Sequence, residues 1–167
     1  MAPMTLKERF MNKLTGKEVD RTPVGCTTTY GLVDFMKKCG YERPLADTDP
    51  VAMTELAYAG YQYGGFEWVK AMGWDILPLS EAFGCELGTP KIDLQYSVKG
   101  HPYSEGVDNL TYPSNFLEKG RFPIFKENLK LLKKKVGEEL AMFGESEGAL
   151  TCYANLVRTE LFKKWCM

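Results

Sequence analysis

The chain has 167 residues, 44% of them hydrophobic and 26% charged, and its 21 basic and 22 acidic side chains leave a net charge of -1. This excludes a disordered chain, which needs low hydrophobicity and high net charge, and it provides no broad basic field to hold nucleic acid or an anionic membrane. No run of about 18 uncharged apolar residues occurs, and Lys7, Glu8 and Arg9 fall where a secretory leader has its apolar core, so a cytoplasmic protein is expected.

In chain order, the first expected element is a helix over 5–15. Thr5 and Glu8 make a capping box, Leu6, Phe10 and Leu14 recur every four residues, and Gly16 can close the end. Asp20-Arg21-Thr22-Pro23 then forces an extended or turn conformation, and Val24 to Thr29 reads as a short β-branched strand ending at Tyr30-Gly31. Leu32, Val33, Phe35 and Met36 predict a short helix stopped by Gly40. The next helix opens with Asp49 as N-cap and Pro50 in its first position, and runs to about Gly64. Phe66 to Met72 reads as a second strand, and Pro78 argues against one continuous helix through 74–86.

A long excursion is expected over about 88–121, where Pro90, Pro102, Pro113 and several glycines surround an alternating, strand-like Ile92, Leu94, Tyr96 and Val98. Phe125, Leu129, Leu132 and Val136 mark one face of a helix, Leu140 to Gly144 a strand, and Asn155 to Trp165 a last helix. That helix carries its apolar positions almost to Met167 with no cap or polar tail, the pattern of an interrupted chain. Helices alternating with short buried strands predict an α/β architecture with parallel strands and one domain over 1–167, about the size of a flavodoxin-like sheet.

Five widely spread cysteines, never in a CxxC pair, fit neither a disulfide framework nor a zinc ribbon, and buried thiols are expected. His101 is the single histidine, which removes HExxH and three-histidine zinc sites, and its loop setting predicts a solvated ring. Lys133-Lys134-Lys135 reads as a solvated helical face. Tyr58, Tyr61, Tyr63, Phe66, Trp68 and Trp74 are read as core or interface packing, with a flat cofactor surface as the alternative.

Four stretches in order carry a resemblance. They are Met4-Thr5-Leu6-Lys7-Glu8-Arg9-Phe10-Met11-Asn12, Val19-Asp20-Arg21-Thr22-Pro23-Val24, Glu81-Ala82-Phe83-Gly84-Cys85-Glu86 and Gly148-Ala149-Leu150-Thr151. Together they resemble the uroporphyrinogen decarboxylase superfamily, and within it the methylcobamide:coenzyme M methyltransferase branch. The resemblance implies the N-terminal portion of a (β/α)8 TIM barrel, incomplete here because a whole barrel takes about 250 residues. It also implies a site at the C-terminal ends of the strands.

Asp75 falls where the decarboxylase has the aspartate that holds the pyrrole N–H groups, and a carboxylate can accept several such bonds. A turn cap beside Gly73 is its other reading. The decarboxylase's paired arginines fall at Thr28, Thr29, Tyr30, Gly31 and Leu32, which offer no guanidinium fork for substrate carboxylates, so porphyrinogen decarboxylation is disfavoured. Asn155 falls at the family's substrate-site tyrosine, and a helix N-cap before Leu156 is equally open. Thr28, Tyr30, Asp75 and Asn155 are therefore the substrate-binding candidates, with no catalytic or metal residue assigned.

The methyltransferase branch uses zinc to turn a thiol into a thiolate that takes a methyl group from a corrinoid cobalt. The resemblance assigns its His-x-Cys and distant Cys ligands to the family's second half. No cofactor is thus expected on this chain alone, with corrinoid and zinc implied for the full-length family, and Cys85 is expected to be a packed thiol. The expected function is the N-terminal half of a corrinoid-dependent methyltransferase, incomplete alone. Its expected partners are a methylated corrinoid protein or cobamide, a small thiol, and either a C-terminal half or a second copy of the chain in a homodimer. The alternatives are a uroporphyrinogen decarboxylase-like enzyme and a non-catalytic half-barrel interaction protein, whose exposed strand edges would need covering.

Overall fold

The computed structural model describes residues 2–27, 31–71 and 76–167. In chain order, α1 (Leu6–Leu14), α2 (Val33–Cys39), α3 (Leu45–Thr48) and α4 (Pro50–Gly64) precede β1 (Trp68–Lys70). After these come α5 (Pro78–Ala82), β2 (Glu86–Leu87), β3 (Val98–Gly100), a 3-10 turn (Phe116–Glu118), α6 (Phe122–Val136), β4 (Ala141–Phe143), α7 (Ala149–Val157) and α8 (Thr159–Cys166). The chain divides into two compact units, Met1–Trp74 with Ile124–Glu145, and Asp75–Pro123 with Ser146–Met167.

In the first unit, local signals place α1, α2 and α4 where the sequence predicts them, and α3 is a short helix that the sequence does not announce. Thr5 Oγ1 accepts from the Glu8 N–H at 3.2 Å, and Asp49 Oδ1 accepts from the Ala52 N–H at 2.7 Å, so each helix start has an orphan donor satisfied. Gly40 and Gly65 close α2 and α4 in the left-handed conformation at φ 79° and 68°. β1 and β4 pair in parallel, with Trp68 opposite Ala141, Val69 opposite Met142 and Lys70 opposite Phe143.

Alternation along these strands sorts the side chains onto two faces. Val69 and Ala71 pack with Ala57, Leu132, Val136 and Leu140, and Met142, Leu129, Tyr58 and Tyr61 complete that layer, so α4 and α6 cover one face of the pair. A wholly buried aliphatic side chain such as Leu132 stabilises the fold by about 2 kcal/mol. Trp68, Lys70, Ala141 and Phe143 belong to the opposite face. Trp68 packs at a tilt against Phe10 of α1, ring centroids 4.8 Å apart, and a Cβ on Gly25 would stand 2.5 Å from its indole, so that backbone approach requires glycine.

α1 is fastened by charge as well. The buried Arg9 guanidinium donates to Asp20 at 2.6 and 2.8 Å, to Glu67 at 2.7 Å and to the Met4 carbonyl at 3.0 Å, and Arg21 also pairs with Glu67. The Arg9 hydrogen bonds, with the Met4 N–H, hold the Asp20 carboxyl far below the usual carboxylate range. Burial pushes Glu67 upward, but hydrogen bonds from Arg21, Arg9 and the Val24 N–H outweigh it and the group ends below its ordinary value.

In the second unit, Cys85, Cys152, Leu156 and Val157 form a small core surrounded by Leu79, Phe83, Tyr103 and Phe162 among others. β2 and β3 are antiparallel, with Glu86 opposite Gly100. Arg121 donates to Glu81 at 2.9 Å and lies 4.1 Å over the Tyr96 ring.

Four expectations need correction. Between 24 and 27 no strand forms, although the Val24 carbonyl accepts the Glu67 N–H at 2.8 Å. The alternation over 92–98 does not make a strand, because Lys91 and Leu94 bridge around a turn at Ile92-Asp93, a setting that aspartate favours, and only Val98–Gly100 pairs. The single last helix is two, broken at Arg158 with φ 71° and ψ 150°, and the first of them begins six residues earlier, at Ala149. Asn155 consequently lies inside α7 and is not a helix N-cap. Among the described residues no helix is long and apolar enough to cross a membrane.

Candidate functional site

In parallel α/β folds ligand sites lie beyond the carboxyl ends of the strands. β1 ends at Lys70, whose side chain is fully buried and pairs with Glu145, two residues beyond β4. The register explains the pair, since Lys70 faces Phe143 and a two-residue step returns Glu145 to the same face. A buried ammonium is tolerable only with such a carboxylate. A separate apolar cavity of about 750 Å³ is walled by Phe10, Met11, Leu14, Pro23, Trp68 and Phe143, with neither Lys70 nor Glu145 in its wall.

In the second unit a polar cluster gathers around Glu147, which is 5% exposed. Its carboxylate accepts from the Ser80 N–H at 3.1 Å, from the Ser80 hydroxyl at 2.7 and 2.8 Å, and from the Asn155 side-chain amide. All of these donors are neutral. Ser80 N is the third residue of α5, whose own N-cap position, Leu77, supplies no side-chain bond, so Glu147 caps that helix from a distant segment and places negative charge at its positive end. Burying a carboxylate is costly unless its lone pairs are met, and three charge-assisted donors meet them here.

Asn155 joins this cluster through both its side chain and its backbone. Its Nδ2 donates to Glu147 and, at 3.2 Å, to Ser80 Oγ, which fixes the amide because the carboxylate can only accept. Oδ1 is left as an acceptor with no hydrogen bond among the described residues. The Asn155 carbonyl receives the Cys85 thiol at 3.4 Å and His101 Nδ1–H at 2.6 Å. A carbonyl accepts only, so Nδ1 of His101 bears the hydrogen of this contact. The expectation of a merely solvated histidine is therefore corrected.

Burial pushes the Cys85 thiol up to about 12, with Cys152 and Glu147 adding to the effect, and burial raises Cys152 as well. Both are protonated at neutral pH, so Cys85 is the packed thiol that was expected. Of the residues singled out from the sequence, Thr28, Tyr30 and Asp75 lie outside the described residues, and Asn155 is brought into a defined cluster. Sequence reasoning missed Lys70, Ser80, Glu145 and Glu147. The available signal was a pair of acids, Glu145 and Glu147, directly after a predicted strand.

Comparison with known proteins identifies the lineage. The family model described as Uroporphyrinogen decarboxylase (URO-D) matches residues 5–167. The chain belongs to this family. It is 36% identical over 165 residues to the methylcobamide:CoM methyltransferase MtaA of Methanosarcina barkeri, a match covering 99% of this chain and 48% of the relative. It is 34% identical over 148 residues to the methylcobamide:CoM methyltransferase MtbA of Methanosarcina acetivorans, covering 89% of this chain and 43% of the relative. A solved methyltransferase from Methanosarcina mazei superposes with a TM-score of 0.93 at 35% identity, over 98% of this chain and 48% of its own. The chain thus spans about half the length of the curated relatives it matches.

Proposed function

We propose that this chain is the N-terminal portion of a (β/α)8 barrel and one half of a corrinoid-dependent methyltransferase, acting in the cytoplasm on a methylated corrinoid and a small thiol. The observation that carries this reading is the collinear match to MtaA over 99% of the chain. The geometry supports it in kind: Lys70 with Glu145 lies at the strand ends, and Glu147 with Ser80 and Asn155 forms a buried polar cluster in the loop after β4 and the elements beside it. On this reading Asp75, Thr28, Tyr30 and Asn155 face the corrinoid or the thiol, and Asn155 offers Oδ1 as an acceptor. The chain folds as a single partial-barrel domain.

Zinc would lower the pKa of the bound thiol. The residues described here do not fit that role, because no group of three or more His, Cys, Asp or Glu is placed among them to hold a metal ion, and Cys85 and Cys152 are held as thiols. The resemblance assigns such ligands to the family's other half. The test adds the remaining portion of the M. mazei methyltransferase, expressed separately, and follows methyl transfer from methylcobalamin to coenzyme M. The expected result is a rate well above zinc alone, and no gain over zinc alone refutes the reading.

A further inference from the structure

We infer that His101 is a positioning residue: by closing the mouth of the β2–β3 hairpin on the Asn155 carbonyl, it fixes the Asn155 side chain and so the acceptor that this residue offers a ligand. The hold of His101 on Asn155 stands on geometry alone. Its service to a ligand rests on the methyltransferase reading above.

The end of α7 explains why a donor is needed there. Arg158 turns the chain out of the helix at φ 71°, so the last carbonyls of α7 lose the donors that a further helical turn would bring. One short segment meets two of them. The Tyr103 N–H donates to the Leu156 carbonyl at 3.0 Å, and His101 Nδ1 bonds the Asn155 carbonyl at 2.6 Å. The Cys85 thiol reaches that same carbonyl at 3.4 Å. The hairpin accounts for the convergence. Glu86 lies opposite Gly100, so the residues that flank this pair, Cys85 before β2 and His101 after β3, meet at the mouth. A thiol is a weak donor, which leaves the ring N–H as the firm one.

The side chain of Asn155 is tied as well, since Nδ2 donates to Glu147 and, at 3.2 Å, to Ser80 Oγ. Held through its carbonyl on one side and its amide on the other, the residue keeps Oδ1 in one direction before any ligand arrives, and less freedom is lost on binding. Without the His101 bond the carbonyl retains only the thiol, the last turn of α7 can fray, and the amide loses its fixed base.

The test uses NMR on the chain itself, whose single histidine gives one ring system. At about pH 9, above the ordinary imidazole range, long-range proton–nitrogen spectra are expected to place the neutral ring's proton on Nδ1. A proton on Nε2 overturns the proposal. The tautomer needs no substitution, so it decides even where a variant fails to fold. His101→Leu is expected to speed deuterium exchange of the Asn155 side-chain amide about tenfold, the effect of one lost hydrogen bond, while amides of α4 keep their protection. His101→Asn, whose amide N–H stands at the same remove from the backbone as Nδ1, is expected to restore the native rate. An unchanged rate in His101→Leu, or a His101→Asn that behaves like His101→Leu, overturns the proposal. With the remaining portion of the M. mazei methyltransferase added, His101→Leu is expected to raise KM for coenzyme M about tenfold with kcat nearly unchanged, and His101→Asn to reverse this. An unchanged KM in an active assembly overturns the service to a ligand. No methyl transfer by the native sequence, with the NMR results as expected, would sink the functional reading and leave the positioning role standing.

Discussion

Arg158 separates α7 from α8 in a conformation, φ 71° and ψ 150°, that glycine occupies almost alone. Arginine favours helix, so nothing local in the sequence announces the break, and an unbroken helix through this point was the natural reading. Relieving the strain with Arg158→Gly is expected to stabilise the chain by about 1 kcal/mol, measured as a higher urea midpoint, because glycine keeps the carbonyl that accepts the Phe162 N–H at 3.1 Å. A lower midpoint would mean that the arginine side chain contributes more than its backbone costs. Glu147 presents the opposite case, a residue whose worth lies in what it accepts. Glu147→Gln would turn an amide toward the Ser80 N–H and the Asn155 amide, both donors, and is expected to cost about 2 kcal/mol in the same measurement. A neutral outcome would show that the cluster does not need the carboxylate.

At the scale of elements, α1 is held by a motif the sequence makes visible and by a network it does not. Thr5, the Asp49-Pro50 start of α4, and the glycines closing α2 and α4 act through neighbours within a few residues, which is why their positions were legible. The Arg9 network spans 11 residues to Asp20 and 58 to Glu67, and the pair of Lys70 and Glu145 spans 75, so only the folded sheet reveals them. The same distance hid the link of His101 to Asn155, and the resemblance alone singled out Asn155. The network dictates an acid response. Asp20 and Glu67 both titrate below their unfolded values, so their contribution is complete above the ordinary carboxylate range and is lost as pH falls through the lower folded values. Asp20→Asn should therefore lower Tm at pH 7, with the gap to the native sequence closing progressively below about pH 4. A gap independent of pH would show that Asp20 acts through shape and hydrogen bonding, with no contribution from its charge.

For the whole molecule, the question left by the sequence is whether its two compact units fold as one domain. The chain crosses between them at 74/75, 123/124 and 145/146, and the second crossing falls inside α6, two residues from its start. The second unit has a core of four buried residues, two of them cysteines, too little apolar surface to stand alone when small domains are already marginal. The first unit has a sheet layered by α4 and α6, so it is the part with independent cohesion. Loss of the first unit should then remove the second in the same step. Hydrogen exchange followed by mass spectrometry across a urea series is expected to show amides of α4 and α7 losing protection at one midpoint, and Cys85 and Cys152 should become alkylatable at that same midpoint, having resisted reagent at pH 8 in the native state while the exposed Cys166 reacts. If α7 exchanges and Cys152 reacts while α4 stays protected, the second unit melts on its own. Its cluster of Glu147, Ser80 and Asn155 would then be ordered only weakly while the first unit is still folded.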